Sequence, residues 1–246
     1  MMIMQKIADR CISEGKTAPV SIACIGDSVT HGCFEVGVNR NGSLKITYEP
    51  DQAYPYRLKR RLDRLYPAAA VNILNAGVSG ETVQDGLKRL ECDVLSHKPD
   101  LVIAAFCLND AMCEEVELGL NAYMKSLAEM IRRIIAADCD CIVQTPNHMC
   151  SYVASDLQDP QLIEIAERAA HVQRDGILDR YVCAARKTAD AQGVPVADAY
   201  AIWDRMKACG VDTTALLSNS INHPGREEHE IFVNGICSVL FDWKGL

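Results

Sequence analysis

The sequence predicts one α/β domain over residues 1–246: three layers, α/β/α, built on a flavodoxin-like parallel five-stranded sheet. Three observations carry this prediction. Five short apolar runs, 20–25, 71–75, 101–107, 141–145 and 194–197, largely lack polar alternation, the pattern of strands covered on both faces. Between them lie stretches with apolar residues at helical spacing. No linker rich in Gly, Pro or Ser, no internal repeat and no low-complexity segment divides the 246 residues, a length that one core can serve.

Taken in order, the first run ends in Gly26-Asp27-Ser28. An insertion then precedes the first helix: in "EVGVNRNGSLKITY" the Asn41-Gly42 pair separates two extended arms, the signal of a type I′ turn, and predicts a hairpin at 34–50. Asn41-Gly42-Ser43 also matches a glycosylation sequon, discounted because no export signal accompanies it. Leu58, Leu62 and Leu65 mark one helix face; Val83, Leu87, Leu90 and Val94 a second; Leu120, Tyr123, Leu127, Ile131 and Ile134 a third. A fourth helical region covers 160–192, and Phe232, Ile236, Val239 and Trp243 mark the last helix.

Composition narrows the function. With 33 acidic against 25 basic residues, a net charge of −8 and no basic block, nothing attracts a phosphate backbone or an anionic leaflet. No nucleic acid and no membrane partner is expected. The start, "MMIMQKIADRCISEGK", has no apolar core of signal-peptide length, and no run is long enough to span a bilayer, so a cytoplasmic location is expected. Twelve cysteines without regular spacing, among them Cys24, Cys107, Cys183 and Cys237 in apolar runs, read as buried free thiols in a reducing compartment.

In a doubly wound sheet, ligands bind beyond the carboxyl ends of the strands, where loops diverge and helix N-termini point inward. Four consecutive strands deliver polar residues to that rim: Asp27-Ser28, "NAGVSGET" (75–82), Asn109-Asp110 and Asn147-His148. A serine at a tight strand-to-helix turn between Gly26 and Gly32 is either a helix N-cap or an exposed nucleophile whose own N–H can meet an oxyanion. Of the six histidines, His223 is the best candidate base, in a loop before the last helix with Pro224-Gly225 at its start. His31 is close to Ser28 only in sequence, His97, His171 and His229 sit in helical contexts, and His148 is placed to line the rim. Asp27, Asp110 and Asp198 read as turn braces, and Thr82 with Asp85 as a helix cap.

In four ordered blocks the chain resembles the SGNH hydrolases, the GDSL-type esterases and lipases. "GDSVTHG" is similar to the first block, "NAGVSGET" to the second, "CLNDA" to the third and "SINHPG" to the last. The resemblance implies Ser28 as nucleophile, His223 as base, and the N–H groups of Ser28 and Gly80 with the Asn109 amide as oxyanion donors. It implies no metal and no cofactor, and a small-molecule ester as partner; a homo-oligomer is left open. Two positions depart from the pattern. Cys107 stands where glycine is usual and reads as a packing change. Ser220 stands where the family has an aspartate that orients the imidazole. A backbone carbonyl, Asn219, Ser220, Asp212 or Glu227 are the candidates to replace it.

The expected function is therefore a serine esterase acting through an acyl-serine. Few aromatics (6%) and a polar "NRNGS" tip favour a short acyl group such as acetyl on a carbohydrate or other polar alcohol. The alternative is a non-catalytic ligand-binding member of the same fold. A phosphate- or nucleotide-binding protein would use the same rim, but GxGxxG and GKS/GKT signatures are absent.

Overall fold

The computed structural model describes residues 2–241; Trp243 lies outside them. The first element is one that the apolar runs did not predict, α1 (Met2–Ile12), which buries Ile3 and Ile7. Strand β1 (Ser21–Gly26) leads into a one-turn helix, α2 (Ser28–His31), and then the hairpin β2 (Cys33–Val38) and β3 (Leu44–Tyr48). After α3 (Tyr54–Leu65), β4 (Asn72–Gly77) and α4 (Val83–Asp93), the chain forms β5 (Leu101–Ala105), a short α5 (Leu108–Ala111), α6 (Val116–Ala136) and β6 (Asp140–Gln144). The helical region 160–192 is two helices, α7 (Pro160–Arg174) and α8 (Ile177–Ala191), because Gly176 takes a left-handed φ of +71° between them. β7 (Val196–Ala197), α9 (Ala199–Ala208) and α10 (His229–Leu240) follow.

Five strands form one parallel sheet in the order β4-β1-β5-β6-β7, the doubly wound arrangement with its reversal next to β1. α4 packs on α6 and α6 on α8, while α3 packs on α10, giving helices on both faces. Central strands are apolar on both faces for that reason: Ile22, Ala23, Cys24 and Ile25 of β1 and Leu101, Val102 and Ile103 of β5 are all fully buried. Phe106 and Cys107 leave β5 after Ala105 but stay in the core.

The hairpin forms a separate two-stranded antiparallel sheet. Its turn is not type I′, which needs two left-handed residues. Asn39 N–H donates to Ser43 O at 2.8 Å, and within the loop only Gly42 has positive φ, +81°. The reading of buried thiols fails in part: Cys92, Cys113, Cys183 and Cys209 are exposed and Cys11 is half-buried, whereas Cys24, Cys107 and Cys237 are buried; among the described residues the cysteines are free. Among those residues, no helix is long and apolar enough to cross a membrane.

Candidate active site

Strand register sets the level of the site. Gly26 lies opposite Gly77 on β4 and Ala105 on β5, so three strands end together, with Ser28, Gly80 and Asn109 just beyond. Close approach at that edge requires glycine: a Cβ on Gly77 would run into the backbone nitrogen of His31, so only glycine lets α2 sit against β4. Asp27 Oδ1 accepts from Val29 N–H at 3.0 Å, and Gly32, at φ +96°, ends the turn with its N–H on Ser28 O at 3.0 Å. Ser28 is held in one place as a result.

His223 arrives from the loop before α10. Its Nε2 is 3.0 Å from Ser28 Oγ, and its Nδ1 is 2.8 Å from the carbonyl oxygen of Phe34. A carbonyl only accepts, so Nδ1 carries the hydrogen and the Nε2 lone pair faces the hydroxyl. Burial lowers the His223 pKa below the ordinary 6.5; the Phe34 carbonyl and the Glu35 charge act in the opposite direction but are outweighed.

The loop holding this ring is fastened from inside and outside. Asn219 Oδ1 accepts from the backbone N–H groups of Ile221, Asn222 and His223 at 3.0, 2.9 and 2.9 Å. Asn147, just past β6, donates to Asn222 O at 2.9 Å, and Cys150 N–H donates to Ile221 O at 2.7 Å. Of the five candidates to replace the missing aspartate, the structure selects the backbone carbonyl. Ser220, in a left-handed conformation (φ +57°), turns its Oγ to Asp156 at 3.4 Å. Asn219 spends its oxygen on the loop. Asp212 accepts from Tyr152 OH and from Thr214 N–H, and Glu227 lies by Arg57.

The other predicted residues form a second group. Asn109 Nδ2 donates to Glu81 O at 2.8 Å, tying its loop to the turn in which Gly80 takes φ +84°. Thr82 and Asp85 form a capping box, and Asp110 Oδ1 accepts from Val83 N–H at 3.1 Å. Neither Gly80 nor Asn109 makes a hydrogen bond to Ser28 among the described residues. An open groove lined by Thr82, Gln84, Met112, Cys113 and Leu118 runs from Asn109. Asp27 and Asp110 are both buried, and desolvation pushes each up to about 7.

Several histidines lie elsewhere. His148 does not line the rim: it is buried, with Nε2 2.9 Å from Asp204 Oδ1 and its ring against Tyr200, because the chain after β6 turns inward under the His223 loop. His31 packs its ring on Tyr48, His171 pairs with Asp175 on the surface, and His229 is buried against Phe34 with its pKa lowered to about 3 by desolvation. Cys107 is a buried thiol raised well above its ordinary pKa by desolvation. Sequence reading missed Phe34, whose carbonyl meets His223 Nδ1. A backbone acceptor has no sequence signature, although the hairpin that carries it was visible.

Known proteins can be set beside this geometry. The GDSL-like Lipase/Acylhydrolase family matches residues 24–231. An acetylxylan esterase of Geobacillus stearothermophilus is 29% identical over 143 residues, 55% of this chain and 62% of that protein, so the match spans less than two thirds of the relative. A two-domain esterase, CEX, active on acetylated mannans superposes with a TM-score of 0.67 at 19% identity, over 99% of this chain and 53% of that one. LAE5, an alpha/beta hydrolase enzyme from the metagenome of Lake Arreo, Spain, superposes at 0.66 with 22% identity, over 92% and 96% of the two chains. The solved structures share the fold; the sequence match runs from the end of the first strand into the last helix, and the chain belongs to the GDSL-like lipase/acylhydrolase family.

Proposed function

We propose that the protein is a serine ester hydrolase that removes a short acyl group, acetyl above all, from a carbohydrate or another polar alcohol. The observation that carries this is the Ser28–His223–Phe34 chain: a hydroxyl 3.0 Å from a ring nitrogen whose opposite nitrogen is fixed as a donor. It also favours an enzyme over a binding module, since the work of the absent aspartate in selecting the tautomer has been taken over.

In this mechanism Ser28 Oγ attacks the ester carbonyl carbon as its proton passes to His223 Nε2. The oxyanion is met by the N–H groups of Ser28 and Gly80 and by the Asn109 amide, which the bond to Glu81 holds in orientation. Collapse expels the alcohol, which takes the proton from Nε2. Water, deprotonated at the same nitrogen, then attacks the acyl-serine, and collapse releases the acid as Nε2 returns the proton to Ser28 Oγ. Throughout, Nδ1–H stays on the Phe34 carbonyl, which orients the imidazolium without lending it a full negative charge. Support for the substrate class comes from the exposed polar hairpin tip and the acetylated polysaccharides named for two relatives.

The test is treatment with a fluorophosphonate and mapping of the adduct, alongside release of acetate from acetylated xylo- and manno-oligosaccharides. Labelling at Ser28 that His223→Ala abolishes, with acetyl esters turned over faster than octanoyl esters, is expected. A wild-type protein that leaves Ser28 unlabelled sinks the hydrolase reading; faster octanoyl turnover sinks the acyl assignment.

A further inference from the structure

In the hairpin, Cys33 pairs with Tyr48 and the next pair is Val36 with Ile46, so Phe34 and Glu35 face the single residue Thr47. This is a β-bulge, a device that re-aims one residue out of the ladder. The Phe34 carbonyl points to His223 instead of across the hairpin. Something must hold the bulge against the His223 loop, because the two belong to separate parts of the chain and the hairpin is no part of the main sheet.

Arg226, three residues after His223, occupies that junction. Its Nη1 and Nη2 donate to the two Glu35 carboxylate oxygens at 2.6 and 3.2 Å, and its Nε and Nη2 donate to Glu49 at 2.8 and 2.6 Å. The guanidinium carbon sits 4.5 Å from the Phe34 ring centroid, and the buried Phe34 ring meets His229 at 5.2 Å. One side chain thus joins the bulge, the end of β3 and the base loop. We propose that Arg226, with Glu35 and Glu49, is a positioning device for catalysis: it clamps the bulged hairpin so that the Phe34 carbonyl substitutes for the orienting acid of His223. This rests on the esterase reading.

Stability alone does not account for the arrangement. The side chains of Arg226, Glu35 and Glu49 are 34, 46 and 35% exposed, and ion pairs of that exposure contribute little to folding. Losing the clamp is therefore expected to cost rate far more than stability. The acid limb should move as well. The charged or titratable groups around the imidazole are Glu35 and Glu49 on the hairpin, Arg226 in its own loop, the neutral His229 on α10, and Asp27 beside Ser28. Without Arg226, the unneutralised carboxylates and entering water both favour imidazolium, so the limb shifts up toward 6.5.

The experiment compares wild type with Arg226→Met, Arg226→Lys and the double variant Glu35→Gln/Glu49→Gln. It reads the rate of fluorophosphonate labelling at Ser28 against pH, kcat and KM for an acetyl ester, and the low-field proton resonance of His223 Nδ1–H. Arg226→Met should keep wild-type circular dichroism and KM within about twofold. It should lose roughly 10–100-fold in kcat and labelling rate, the scale of a displaced catalytic group, and lose the resonance. Lysine should restore part of the rate, and the double variant should reproduce the loss. Folded Arg226→Met with wild-type labelling rate, acid limb and resonance overturns the clamp. If that variant does not fold, the double variant is judged by labelling rate and resonance alone, because removing the Glu35 carboxylate takes away a charge that raises the His223 pKa and pulls the acid limb the other way. Absence of Ser28 labelling in the wild type overturns the esterase reading instead, and the resonance still reports on the clamp.

Discussion

Replacing Asn219 by alanine tests whether the His223 loop is held as the geometry implies. The substitution removes the one oxygen that accepts from the N–H groups of Ile221, Asn222 and His223. Ile221 and His223 are 2 and 5% exposed, so water does not readily replace the lost acceptor there. A buried donor left unpaired costs about 1–3 kcal/mol, which gives ~2–6 kcal/mol for two. Partial relaxation of the loop brings the expected loss to the lower end, ~2–3 kcal/mol. For a chain of this size that lowers Tm by roughly 5–10 °C. The same relaxation moves the imidazole, and a displacement of about 1 Å costs on the order of 100-fold in kcat. Asn219→Asp keeps the accepting oxygen and gives up only the Nδ2 bond to Asn222 Oδ1, so it should recover most of both quantities. Thermal unfolding by circular dichroism and acetyl-ester kinetics on the same preparations provide the measurement. An alanine variant with Tm within 2 °C and kcat within about twofold of wild type would refute the reasoning, because three donors deprived of their one acceptor cannot be silent in a loop that depends on it.

Other outcomes follow from the same coordinates. Asn109→Ala should reduce kcat by about two to three powers of ten with little change in unfolding midpoint, the usual cost of one oxyanion donor; steady-state kinetics beside thermal unfolding decides it. The acid limb of kcat/KM should lie below 6.5, since burial lowers the His223 pKa and only its neutral form accepts the Ser28 proton; a limb above 6.5 contradicts that. Asp27 has a folded pKa of about 7 against an ordinary 3.8, so its contribution is complete below about 3.8 and is lost as pH rises to 7. Asp27→Asn keeps the cap and removes that loss; it should gain ~1–4 kcal/mol on wild type between pH 3.5 and pH 8 in chemical denaturation, and a pH-independent difference rejects the assignment.

Much of the fold was legible because burial on both faces leaves an unmistakable mark: residues 20–25 and 101–105 are apolar without alternation since helices cover both sides of β1 and β5. Polar residues gathered after four strands likewise pointed to one rim, and the strand register brings Ser28, Gly80 and Asn109 to that level. Where the reading fell short, the deciding forces were local or tertiary. Gly176 splits the helical region at 160–192 through its backbone conformation, and α1 buries only Ile3 and Ile7, a single i, i+4 pair too short to mark a helix face. His148 looked like a rim residue until the chain beyond β6 was seen to fold beneath the base loop.

By itself the sequence determined the layer order, the serine-bearing turn, the identity of His223 as candidate base and the vacancy at Ser220, because each depends on residue type at a fixed chain position. Only the tertiary structure decided what fills that vacancy. The acceptor is a main-chain carbonyl, identical in every residue, and it becomes specific only when a bulge turns it outward and a distant loop sets an imidazole 2.8 Å away.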